Sequence, residues 1–175
     1  GGRKSSRNLY SQIYYLATVN SDGSIQASVS LTFRHQGSYL FPDGTNRDFI
    51  RLYVPLGSRL LGIDGQEEGG AVEEGIENNL TVFSFWLTTE PGQTKEVILN
   101  YQLPFGLAFR RGQGNYHLRF EKQPGVNNAL LTVKLQLPSD WIAHADDPFS
   151  REGGTLTLFN GPFNEDLEWT IKVER

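Results

Sequence analysis

The residues that could do chemistry in this chain are few and scattered. The three histidines are His35, His117 and His144, and none has a second His or a Cys at metal-ligand spacing. His117 alternates with apolar strand neighbours and reads as a solvent-facing strand residue. Adjacent carboxylates occur at Glu67-Glu68, Glu73-Glu74 and Asp146-Asp147. Glycosidase chemistry needs two carboxyls facing across a cleft, one with its pKa raised by burial. Neighbouring acids in glycine-rich loops are instead solvated. Oxygen ligands for calcium are offered by 43–48 (DGTNRD) and by Asp140 with Asp146 and Asp147. Neither stretch matches an EF-hand loop, and turns held by Asx side chains are the plain alternative. There is no G-x-S-x-G, Walker loop or H-E-x-x-H. The sequence therefore assigns no catalytic residue, no metal site and no cofactor.

The tryptophans carry more information. Trp169 shares its phase with Leu167, Ile171 and Val173 and belongs to a core. Trp86 is out of phase with Phe83, Phe85 and Leu87, on the face of Val82 and Ser84. It is either covered by another element or an exposed platform. Trp141 stands in a long connection beside Ile142, His144, Asp146 and Asp147. Exposed aromatics with nearby acids can build a sugar-binding face, whereas a buried Trp anchors its loop. Trp86, Trp141, His144, Asp146 and Asp147 are thus the candidate ligand or partner contacts.

The elements that position these residues are strands. Odd positions 83–87 and 97–103 are apolar on both sides of Glu90-Pro91-Gly92-Gln93. Pro presets φ and Gly supplies the positive φ of a type II turn. With both apolar faces on odd numbers, a direct hairpin needs an odd loop. Otherwise the turn arches from one sheet to another. Further strands are predicted at 12–19, 25–34, 48–54, 59–63, 115–121, 129–137, 155–159 and 167–173, with a short edge strand at 71–76. A Pro124-Gly125 turn follows the 115–121 strand, and 160–162 is a turn. The connection 138–154 is predicted to hold a brief helical turn at 141–145, capped by Ser139-Asp140, that lays Trp141 over an open end of the sandwich as a lid. No stretch has helical periodicity over three turns.

Composition agrees with one all-β domain, an immunoglobulin-like β-sandwich of about nine strands over 10–175. Residues 1–9 form a disordered tail or a cloning remnant, and the opening Gly-Gly reads as a cut end. The predicted core includes Val29, Leu31, Phe33, Leu52, Val54, Phe83, Phe85, Leu99, Tyr101, Val133, Leu135, Trp169 and Ile171. Of 175 residues, 38% are hydrophobic, enough for a core, and 21% are charged, so the chain is not of a disordered type. A net charge of −4 gives no attraction to nucleic acid. The absence of cysteine excludes disulfides and thiolate chemistry without fixing a compartment. No apolar run reaches transmembrane length, so no direct membrane insertion by this segment is expected.

Three segments, NRDFIRLYVPLGSRLLGIDG at 46–65, FWLTTEPGQTKEVILNYQLP at 85–104 and YHLRFEKQPGVNNALLTVKLQLP at 116–138, share an order and spacing. They resemble the C-terminal part of a bacterial family catalogued as domain of unknown function 4012. The resemblance covers about half the chain and rests on YVP-x-GS-x-LL and KQPG. It implies an extracytoplasmic domain of a membrane-anchored cell-envelope protein. That family has no established catalytic residues, so it lends none. Taken with the missing catalytic groups, it leads to a non-enzymatic module for structural or protein–protein contact. The alternative is a carbohydrate-binding module acting on envelope glycans. Oligomeric state is not legible.

Overall fold

A computed structural model describes residues 5–67, 70–123, 126 and 129–175. The Pro124-Gly125 turn and Glu68 lie outside them. Among the described residues thirteen strands follow a 3-10 turn at Ser5–Asn8: β1 Leu9–Val19, β2 Ser24–His35, β3 Asn46–Pro55, β4 Arg59–Asp64, β5 Glu73–Glu77, β6 Leu80–Thr89, β7 Thr94–Gly106, β8 Gln113–Phe120, β9 Ala129–Gln136, β10 Ile142–Ala145, β11 Ser150–Glu152, β12 Thr155–Pro162 and β13 Leu167–Glu174. The chain is the all-β sandwich that its alternating residues predict. The edge strand predicted at 71–76 is β5, and the strands without a predicted counterpart are the short β10 and β11, which alternation over three or four residues barely signals.

The chain divides into two compact units, 1–12 with 30–104, and 13–29 with 105–175. In the first, β3-β6-β5 form one sheet, and β2, β7 and β4 are neighbours in that order in another. β6 and β7 belong to different sheets, so the Pro91-Gly92 turn is an arch. Gly92 has φ 81° and Gln93 N–H donates to Glu90 O at 2.9 Å, as a type II turn requires. Two further bonds, His35 N–H to Gln93 O and Gly92 N–H to His35 O, tie the arch to the end of β2. The arch lets the odd faces of both strands turn inward. Phe83, Phe85 and Leu87 are buried with Val97, Leu99, Tyr101 and Leu103, and the Phe83 and Tyr101 rings lie 6.0 Å apart.

In the second unit β10-β13-β8 form one sheet, and β11, β12, β9, β1 and β2 follow in order in the other. Its core holds Ile25, Val29, Leu131, Val133, Leu135, Leu156, Trp169, Ile171 and Val173. Phe120 meets Tyr15 edge-on at 5.1 Å and Trp169 at 6.4 Å. Of the predicted core, only Phe33 and Leu52 are half-buried rather than buried.

Three local expectations differ from the structure. Residues 160–162 continue β12, paired to Leu130, Leu131 and Thr132, after a register shift between Thr157 and Phe159 restores the ladder. Residues 5–8 make a 3-10 turn in which Ser5 is buried and its hydroxyl donates to Asn46 Oδ1 at 2.8 Å. The helical turn at 141–145 does not form. Residues 142–145 are strand β10, antiparallel to β13 with Ile142 opposite Glu174 and Ala145 opposite Ile171. Trp141 N–H donates to Pro138 O, so Ser139 and Asp140 sit inside a turn rather than capping a helix. The burial of Ala143 between exposed Ile142 and His144 is strand alternation, and pairing with β13 outweighs a five-residue helical turn.

Candidate functional site

The candidate residues fall into both units. Trp86 belongs to the first, and Trp141, His144, Asp146 and Asp147 to the second. Trp141 is an anchor. It is 4% exposed, its ring meets Phe109 edge-on at 4.8 Å, and the Arg175 guanidinium lies 4.1 Å from the Phe109 ring and 6.0 Å from the Trp141 ring. Arg151 Nη2 donates to the Trp141 carbonyl at 2.9 Å. His144, Asp146 and Asp147 are exposed on β10 and just beyond it, while Trp141 is directed into the packing. A ligand site combining all four does not form.

Trp86 is different. It is 46% exposed on the open face of β3-β6-β5, where β3 has placed every second residue outward: Arg47, Phe49, Arg51 and Tyr53. Strand alternation dictates this, because Leu52 and Val54 of the same strand point inward. Phe49 stands directly opposite Trp86, with the rings 4.9 Å apart. The Arg47 guanidinium lies 4.6 Å from the centre of the Trp86 ring, and Arg51 lies 5.2 Å from that of Tyr53. Arg51 pairs with Glu77, and Tyr53 Oη donates to the same carboxylate at 3.3 Å. The outcome is a ladder of alternating cations and rings.

Beside this ladder runs a shallow cleft lined by Phe49, Arg51, Glu73, Glu77, Val82 and Ser84. Gly75 also borders it, and a Cβ there would meet no atom within 4 Å. The sequence reading found Trp86 but missed its β3 partners. Their signal was present, because Arg47, Phe49, Arg51 and Tyr53 are all out of phase with the predicted core residues Leu52 and Val54.

The remaining polar candidates have local work. Asp43 accepts from Asn8 Nδ2 at 2.8 Å and from the Ser38 amide at 3.3 Å, and Asp48 accepts from Asn46 Nδ2 at 2.6 Å. These are the side-chain bonds of a braced loop. His35 is buried: its Nδ1 accepts from Gly37 N–H at 3.0 Å, so Nε2 donates to Gly44 O at 2.9 Å. His117 is exposed and its Nδ1 lies 2.9 Å from Thr170 Oγ1. Among the described residues no three of His, Cys, Asp and Glu gather as a metal site. No helix among them is long and apolar enough to cross a membrane.

Neither a family profile nor a curated protein matches the sequence. Among solved structures, an M1 zinc metallopeptidase of Deinococcus radiodurans aligns over 95% of this chain and 42% of its own, at 17% identity and a TM-score of 0.42. This chain thus spans less than half the length of that enzyme, and so loose a likeness carries no argument about its activity. A protein of Legionella pneumophila subsp. pneumophila str. Philadelphia 1, provisionally described as nutrient-binding, aligns over 94% of this chain and 67% of its own. Its identity is 7% and its TM-score 0.55, a likeness of fold alone.

Proposed function

We propose that this chain is a non-enzymatic recognition module of the bacterial cell envelope, displayed outside the cytoplasm by a membrane-anchored parent protein. Its contact is with another protein, made through the open face of β3-β6-β5. The observation that carries this reading is the ladder of Arg47, Phe49, Arg51, Tyr53 and Trp86. Trp, Tyr and Arg are the side chains that dominate protein-interface energetics, because each offers large area with a polar or charged handle. Here they are pre-ordered by stacking, which lowers the entropy lost on binding. The envelope location rests on the resemblance of 46–65, 85–104 and 116–138 to the family of domain of unknown function 4012.

A glycan is the second reading, favoured by one observation. The cleft sets Glu73, Glu77 and Ser84 beside the Phe49 ring. Against it, Arg47 already covers the Trp86 ring that a sugar would stack on. Two surfaces test the choice: a glycan array, and immobilised envelope proteins from cells that make this chain. The protein reading predicts retention on the second that falls at least tenfold in Trp86→Ala, a hot-spot loss. Array binding lost in Phe49→Ala, with no protein retained, would establish the glycan reading instead.

A further inference from the structure

The loop between β2 and β3 carries three large exposed apolar side chains in a row. Tyr39, Leu40 and Phe41 are consecutive and are 67%, 77% and 87% exposed. Scattered surface hydrophobics need no explanation, but three large neighbours at one tip do. The tip is held out by its own bonds. Gly44 N–H donates to Ser38 O at 2.9 Å, Asp43 N–H to Leu40 O at 3.0 Å, and the Leu40 amide to Ser38 Oγ at 3.3 Å. Beneath it, buried His35 joins the two sides through Gly37 and Gly44. The apolar tip is therefore a built feature of the loop.

Charge around its base is sorted. Arg34 adjoins His35, and Arg7 adjoins Asn8, whose amide holds Asp43. Lys95 lies two residues beyond Gln93, whose carbonyl accepts from His35 N–H. All three cations are exposed, and none forms an ion pair with a described residue. The nearby acids are engaged: half-buried Asp43 by Asn8 and Ser38, Asp48 by Asn46 and Glu90 by the Thr45 hydroxyl at 2.7 Å, and exposed Glu96, next to Lys95, by the Ser30 hydroxyl. A chain of net charge −4 thus carries three cations without an ion pair among the described residues, close in sequence to the residues that hold the base of this loop.

We propose that this loop docks on an anionic lipid surface. Tyr39, Leu40 and Phe41 enter the interfacial layer while Arg7, Arg34 and Lys95 face the headgroups. The physical fit is threefold. The Leu40, Asp43 and Gly44 amides are already bonded within the loop, which lowers the cost of entering a water-poor layer. Tyr settles at headgroup depth, and Leu and Phe bury at the acyl boundary. Exposed cations near an anionic surface add about 1 kcal/mol each, which is about fivefold in affinity. This contact is interfacial and needs no spanning segment. It uses none of the ladder residues Arg47, Phe49, Arg51, Tyr53 and Trp86.

The test is sedimentation of the full chain with phosphatidylcholine vesicles, with and without about a third phosphatidylglycerol, at low and high salt. Binding is expected to the anionic vesicles and to weaken with salt. Leu40→Asp should reduce it at least tenfold and Arg34→Gln about fivefold, both with unchanged melting because the side chains are exposed. In Leu40→Trp, emission should shift to the blue on vesicles beyond any shift of the parent. Trp86→Ala should bind vesicles like the parent, which separates this contact from the protein-binding face. Failure of the parent to sediment with either vesicle overturns the proposal, as does unaltered binding of Leu40→Asp. So does a tip that loses a protein partner in Leu40→Asp while ignoring vesicles.

Discussion

Trp141 and Trp86 are the same residue type in opposite environments, and truncating each to Ala measures that difference. A buried aromatic covers roughly 200 Å², and at about 25 cal/mol per Å² its loss comes to about 5 kcal/mol. The extended-chain reference overstates burial by roughly 10–40%, which leaves about 3–4.5 kcal/mol for Trp141. Its 4% exposure means almost the full area is lost, and Phe109 and Arg175 lose a packing partner as well. Trp86 is 46% exposed, so about half that loss, roughly 1.5–2.5 kcal/mol, is the ceiling. For a chain of this size each kcal/mol moves the melting temperature by about 2–4 °C. Trp141→Ala should therefore melt roughly 6–18 °C below the parent and clearly below Trp86→Ala. Scanning calorimetry of the three proteins reads this directly. Equal melting of the two variants, or a parental Trp141→Ala, would refute the assignment of Trp141 as an anchor.

Three other perturbations have determined outcomes. Gly65 has φ 79° and a Cβ there would collide with the Glu96 carbonyl oxygen, so Gly65→Ala should cost more than about 2 kcal/mol in chemical denaturation; a neutral result would mean the backbone there shifts freely. His35→Phe leaves the Gly37 amide and the Gly44 carbonyl without their ring partners, a loss of about 1–3 kcal/mol for each group that stays buried. Amide exchange in 37–44 should speed up, and unchanged protection would deny His35 its bracing role. The Ser24 hydroxyl, and then its amide, hold the Asp22 carboxyl below its ordinary value of 3.8. The stability this adds is present above the unfolded pKa and lost as pH falls through the lower folded one. NMR titration should show Asp22 ionising below 3.8 and Ser24→Ala moving it back up; a midpoint indifferent to Ser24 would contradict the cause.

Much of the fold was written in period-two alternation. The inward faces of β6, β7, β9 and β13 were legible because each strand is long enough to repeat its phase four or five times. Parity even framed the alternatives at Pro91-Gly92, and sheet membership, a long-range property, chose the arch. β10 and β11 were not legible, since three or four residues carry almost no phase and their pairing is decided by β12 and β13. At the candidate site Trp86 was found by being out of phase. Its β3 partners follow from the same logic applied to Leu52 and Val54. The Tyr39-Leu40-Phe41 tip left no signal of its own, because three apolar residues in a loop are as often an anchor as a protrusion. What exposes them is a set of bonds from His35, Asp43 and Asn8 that only folding assembles.

The central claim, that the β3-β6-β5 face contacts a protein, is tested most directly by photocrosslinking from position 86. A benzophenone side chain replaces Trp86 in cells that make the protein, with the same replacement at exposed Ile142 of β10 as the control. The prediction is a discrete protein adduct from position 86 that is absent from position 142 and disappears when Arg51 and Tyr53 are changed to Ala. Adducts of equal yield from both positions, or none from position 86 with the protein folded and present, would contradict it.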